Sequence, residues 1–178
     1  MEKKQIEEKS EKLFEMAGSA EGEVDVIKLA KTLGFLVGLT LLPEEEDGFI
    51  IADKDTKAIE RLTGLRADKV IGINPERDLQ TKRFIIAHEL GHYILHYEAE
   101  ASDGMYAHRE NKKGKDDKEN EADYFAACLL MPCVSFKKKY EELKKKKNSQ
   151  EDIIILLQNY FNVPKESVER RLIEVVGA

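Results

Sequence analysis

The chain has 178 residues, 42% of them hydrophobic and 36% charged, which is enough apolar material for a single core. A net charge of -6 argues against broad electrostatic attraction to nucleic acid. No apolar run approaches the roughly 20 residues of a membrane span, and residues 1–9 lack the apolar centre of a signal peptide, so a membrane partner is not expected. Two cysteines, Cys128 and Cys133, make no disulfide framework and read as buried free thiols, which fits a reducing cytoplasmic home.

Residues 2–17 read as a charged amphipathic helix, with Ile6, Leu13, Phe14 and Ala17 on a narrow apolar stripe. Residues 18–22, which begin and end in glycine, break it. A second helix follows, capped by Asp25, ended by Gly34, and turning Val26, Leu29, Ala30 and Leu33 inward. Residues 35–42 are strand-like, 43–48 form an acidic turn, and 49–52 make a second short strand. Residues 57–68 fit either a strand or one or two helical turns. Residues 69–74 read as a strand stopped by Asn74-Pro75. The short connections predict a small twisted sheet, mainly antiparallel.

An apolar helix spans about residues 78–97, with Asp78 or Thr81 at its N-cap. Residues 97–118 are polar and carry Gly104 and Gly114, and they read as an exposed, mobile loop. Residues 119–131 form a helix with Phe125, Ala126, Leu129 and Leu130 inward, closed by Pro132. Ser135 begins another helix, with Phe136, Tyr140 and Leu143 on one side. Its lysines at 137–139 and 144–147 read as a solvated helix end. Ser149 and Asp152 make a capping-box-like start to an apolar helix, and Pro164 opens the last one, which presents Val168, Leu172 and Val175.

The informative stretch is Arg83-Phe84-Ile85-Ile86-Ala87-His88-Glu89-Leu90-Gly91-His92-Tyr93-Ile94-Leu95-His96. Within it His88 and His92 are four apart, so on a helix they share a face and can offer two imidazole nitrogens to one ion. Glu89 follows the first of them and can take the proton of a water activated by that ion. Zinc suits such a set, and the pattern is that of metal-assisted peptide hydrolysis. Manganese or iron would also fit two histidines and a carboxylate.

A third ligand is needed. His96 lies about 12 Å along the axis from His88 and reads as a structural residue. The extended motif with a third histidine fails, because Leu95 and Glu98 stand where glycine and histidine are required. His108 is a weaker candidate, and the helix that follows is the better source. There Glu119 and Asp123 share a face: Glu119 can bind the ion while Asp123 accepts the free N–H of a ligand histidine. Glu121 points about 200° away but stays an alternative. Tyr106 or His108 are candidate donors to a developing oxyanion.

These residues, together with Glu119-Asn120-Glu121-Ala122-Asp123-Tyr124-Phe125-Ala126-Ala127-Cys128-Leu129-Leu130-Met131-Pro132, resemble the ImmA/IrrE family of metallo-endopeptidases. The family pattern is close to E-x-E-A-N-x-F-A-x-x-L-L-M-P, and Asp123 here replaces its asparagine. The resemblance implies a gluzincin-like site with His88, His92 and Glu119 as ligands and Glu89 as base. It also implies a substrate class, helix-turn-helix transcriptional repressors. The fold class expected is α+β, a small sheet flanking a helical zincin-like core with the His88–His92 helix central. One metallopeptidase domain is expected over 1–178, with an N-terminal helix and connector at 1–22, a catalytic core at 23–132 and C-terminal helices at 133–178. The competing expectation is a non-catalytic module that binds a repressor through a structural or vestigial metal site.

Overall fold

The computed structural model describes residues 1–18, 23–53, 56–64, 66–100, 105–111 and 116–177. The chain begins with α1 (Lys3–Ala17), which buries Ile6 and Leu13 as its stripe predicts, and α2 (Val26–Thr32), whose Asp25 cap accepts the Lys28 backbone N–H. Then come β1 (Leu36–Leu39), β2 (Glu46–Asp53), α3 (Thr56–Thr63) and β3 (Lys69–Ile73). The ambiguous 57–68 segment is therefore helical at its start. The reason is tertiary: Ile59 caps a small second core with Ile51 and Val70 on one face of the sheet.

Helix α4 (Leu79–Glu100) is next. Asp78 caps it, accepting both the Thr81 backbone N–H and its hydroxyl at 2.9 Å. The first of these bonds holds the Asp78 carboxyl below its ordinary range. Arg83 ties the start of α4 to distant segments, donating to the carbonyls of Val24 and Asn162.

The largest departure from the sequence expectation follows. Residues 97–118 are not one exposed loop. Helix α4 continues to Glu100, and β4 (Met105–Asn111) pairs antiparallel with β2, Ile50 opposite His108 and Ala52 opposite Tyr106. Residues 101–104 and 112–115 of that segment lie outside the described residues. The strand was illegible because its pairing partner lies more than 50 residues upstream. A polar edge strand also lacks the apolar alternation that marks a half-buried one.

The sheet order is β1-β3-β2-β4. Only β1 runs parallel to its neighbour, and the other two pairings are antiparallel. The α+β expectation with a mainly antiparallel sheet therefore holds.

The remaining elements are α5 (Asp117–Leu130), α6 (Cys133–Lys145), α7 (Gln150–Phe161) and α8 (Lys165–Val176). Helix α7 starts at the predicted Ser149–Asp152 capping box. Helix α6 starts two residues before the predicted Ser135. One contiguous cluster of buried side chains runs from Ile6 to Leu172, and Phe136 stacks on Phe161 within it.

Helices α4 and α5 pack at its centre. Gly91 makes their approach possible: a Cβ there would lie 3.2 Å from the Ala122 backbone and 3.1 Å from the Phe125 ring. Glycine at this position lets the acidic start of α5 reach the histidines of α4. Helix α1 lies across α5, where the Tyr124 hydroxyl donates to Glu7 at 2.5 Å.

Candidate metal centre

Helical spacing sets two donors. His88 and His92 sit one turn apart on α4, each 1% exposed, and their Nε2 atoms are 3.0 Å apart. Helix α5 supplies a carboxylate: Glu119 Oε2 lies 3.2 Å from His88 Nε2, and Oε1 lies 3.4 Å from His92 Nε2. One ligand atom from each residue falls within 4.8 Å of the other two. Tetrahedral ligands at roughly 2.0–2.1 Å from zinc stand about 3.3–3.4 Å from one another. The separations of 3.0, 3.2 and 3.4 Å lie at or just below that edge length, the last two made to different oxygens of the Glu119 carboxylate, so the donor groups fit around an ion of that size.

Behind the cluster, His88 Nδ1 donates to Asp123 Oδ1 at 3.0 Å, which leaves the Nε2 lone pair facing Glu119. Arg170 on α8 donates to the other Asp123 oxygen at 3.2 Å. His92 differs: its Nδ1 has no hydrogen-bond partner among the described residues. Burial pushes the His92 imidazole below its usual range, only partly offset by its bond to Glu119.

Glu89 is fully buried beside the cluster. Its Oε1 also has no partner among the described residues and faces the backbone of β2 at Gly48, where a Cβ would sit 3.3 Å away. A buried carboxylate oxygen without a partner is costly, on the order of 1–3 kcal/mol.

His108 enters from β4. Its ring stacks on His92, with centroids 3.5 Å apart at 21°. Nε2 donates to Glu119 Oε1 at 2.8 Å, and Nδ1 lies 3.4 Å from Glu89 Oε2. Burial opposes its charge, but the bonds to Glu119 and then Glu89 prevail and raise its pKa to about 9. Glu119 responds in the opposite sense: burial would raise its pKa, but the bonds from His108, His88 and His92 hold it well below the usual carboxylate range.

The structure thus brings together His88, Glu89, His92, His108, Glu119 and Asp123. Glu121 goes elsewhere, to the Met1 amino group and to within 3.9 Å of His96. The Tyr106 backbone lies in β4, but its side chain is outside the described residues. Arg170 and Gly48 escaped the sequence reading. Neither stands at a spacing that refers to the motif, and only packing places them beside it.

The family model Peptidase_M78, described as an IrrE N-terminal-like domain, matches residues 48–173. A solved structure titled Mycobacterium tuberculosis transcriptional regulator is similar over 95% of this chain, with a TM-score of 0.59 and 19% identity. This chain spans 46% of that protein, and the likeness at that identity is one of fold. No curated protein matches the sequence.

Proposed function

The chain belongs to the Peptidase_M78 family of IrrE N-terminal-like domains, and from that membership we propose that it is a zinc-dependent endopeptidase of the cytoplasm. The observation that carries the reading is the convergence of His88 Nε2, His92 Nε2 and the Glu119 carboxylate, whose Oε2 lies 3.2 Å from the first ring and whose Oε1 lies 3.4 Å from the second. Family membership supports a peptidase, and the three residues are compatible with a metal ion. Zinc is the member of the set that nitrogen and carboxylate donors favour, with manganese or iron as substitutes.

In this reading His88, His92 and Glu119 hold the ion. A bound zinc would supply Lewis acidity and a water acidic enough to be deprotonated near neutral pH. Glu89 is the proton carrier. Its carboxylate is buried next to the His88 ligand in sequence and its Oε2 lies 3.4 Å from His108, so it can take a proton from the attacking water and return it to the leaving amine. His108, within reach of Glu119 and Glu89 at the mouth of the site, is placed to donate a ring N–H to the oxygen on which negative charge develops. Asp123 keeps His88 in the ligating tautomer. Strand β4 lies at the sheet edge on the side of the site, where an extended peptide can add as a further strand.

The substrate class we propose is a DNA-binding transcriptional repressor, which follows from the family resemblance. The test is incubation of the purified protein with a helix-turn-helix repressor encoded beside it, with zinc, with a chelator, and with Glu89→Gln. Cleavage that needs metal and vanishes in Glu89→Gln, while the variant keeps its metal, supports the peptidase. A stable complex without cleavage, unchanged by the chelator, supports the non-catalytic binding module instead.

A further inference from the structure

We propose that Arg170 is a positioning residue for the metal site, acting on His88 through Asp123; the proposal rests on the metal-centre reading above. The geometry is a relay across three helices. Arg170 Nη1 on α8 donates to Asp123 Oδ2 on α5 at 3.2 Å. Asp123 Oδ1 accepts a hydrogen bond from the His88 Nδ1–H on α4 at 3.0 Å. The Asp123 side chain is 7% exposed and that of Arg170 46%, so the guanidinium reaches in from the surface to a buried carboxylate. It is held from the other side by Glu174, one turn along α8, at 3.5 Å.

A buried carboxylate needs a countercharge and a fixed plane to act as an acceptor. Arg170 provides both from the far side of Asp123. A carboxylate fixed in this way holds the His88 proton on Nδ1 and raises the donor strength of Nε2. Loss of Arg170 removes one of the contacts that fix the Asp123 plane. His88 then spends part of its time rotated or in the tautomer that places a proton where the ion belongs. His92 has no corresponding hydrogen bond at its Nδ1 among the described residues, so this route of support belongs to His88. The last helix of the chain is thereby coupled to the affinity of the site.

The test measures zinc affinity by competition with a chromophoric chelator, and folding by thermal melting of the metal-free protein. Arg170 is nearly half exposed on a helix, and glutamine is a good helix former, so Arg170→Gln keeps the fold. We expect Arg170→Gln to weaken zinc binding about tenfold. Arg170→Lys, which keeps the charge but loses the planar fork, stays within about threefold of the wild type. In an Asp123→Asn background, where no carboxylate remains to be held, Arg170→Gln changes affinity by no more than about twofold.

Unchanged affinity in Arg170→Gln overturns the proposal. So does an equal loss in both backgrounds, because the residue would then act through the fold. Wild-type protein that takes up no zinc overturns the metal-centre reading itself, which separates the two failures.

Discussion

Helix α4 and strand β4 deliver histidines to the same few ångströms by different means. On α4, His88 and His92 meet because residues four apart on a helix share a face; no other part of the molecule is required. On β4, His108 arrives because β4 pairs with β2 in one register, Ile50 opposite His108. A one-residue slip would turn the ring to the other face of the sheet. The comparison separates two kinds of site residue. The two histidines of α4 are set locally; the one on β4 reaches the proposed metal grip through a non-local pairing and is set by the sheet, as Glu119 is by the packing of α5 on α4.

The sharpest way to break this comparison is a pair of variants. His92→Ala should take the protein from about one bound metal ion per chain to none by metal analysis. His108→Ala should keep the ion yet lower kcat for the proposed peptide cleavage by about 10²-fold, the usual cost of a lost oxyanion donor. If His108→Ala also loses the ion, β4 belongs to the grip and the distinction collapses.

A smaller effect tests how the sheet is held against the helix. A Cβ at Gly48 would lie 2.5 Å from Ile85 Cγ2. Gly48→Ala should push β2, and β4 with it, away from α4 and destabilise the fold by about 1–3 kcal/mol. The melting temperature should drop by about 2–4 °C for each kcal/mol. An unchanged melting curve would mean that the contact between β2 and α4 is slack, and that His108 is placed by something other than this packing.

The smallest effect concerns the helical side. Burial pushes the Cys128 thiol from 9.0 up to about 11, with nearby Arg171 opposing. The folded state keeps this proton where the unfolded chain releases it. The contribution to stability is therefore complete below about pH 9 and is lost as the pH rises through about 11. Alkylation at pH 9 should modify the half-buried Cys133 well before Cys128. Equal rates would show that α5 opens locally and is less rigid than its packing on α4 implies.

How much was legible follows the same division. The His88–Glu89–His92 motif, the acidic start of α5 and the capping box at Ser149 are local patterns, and each lies in the element expected of it. Geometry places Glu119, and not Glu121, against the two imidazoles because the faces of α5 are fixed by Ala122 packing on Gly91. The 97–118 segment departs from its sequence expectation because its strand has no apolar rhythm and borrows its order from β2. Arg170 had no readable signal at all, since nothing in its neighbourhood of the chain refers to Asp123.

Taken alone, the amino-acid sequence determined the helices other than α3, their buried faces and the chemical types gathered on α4 and α5, because those depend on interactions a few residues apart. The tertiary structure decided which carboxylate faces the histidines, where His108 stands and what braces Asp123. Those outcomes depend on register and helix packing between segments tens of residues apart, where the free energy is a property of the assembled core and not of any stretch of chain.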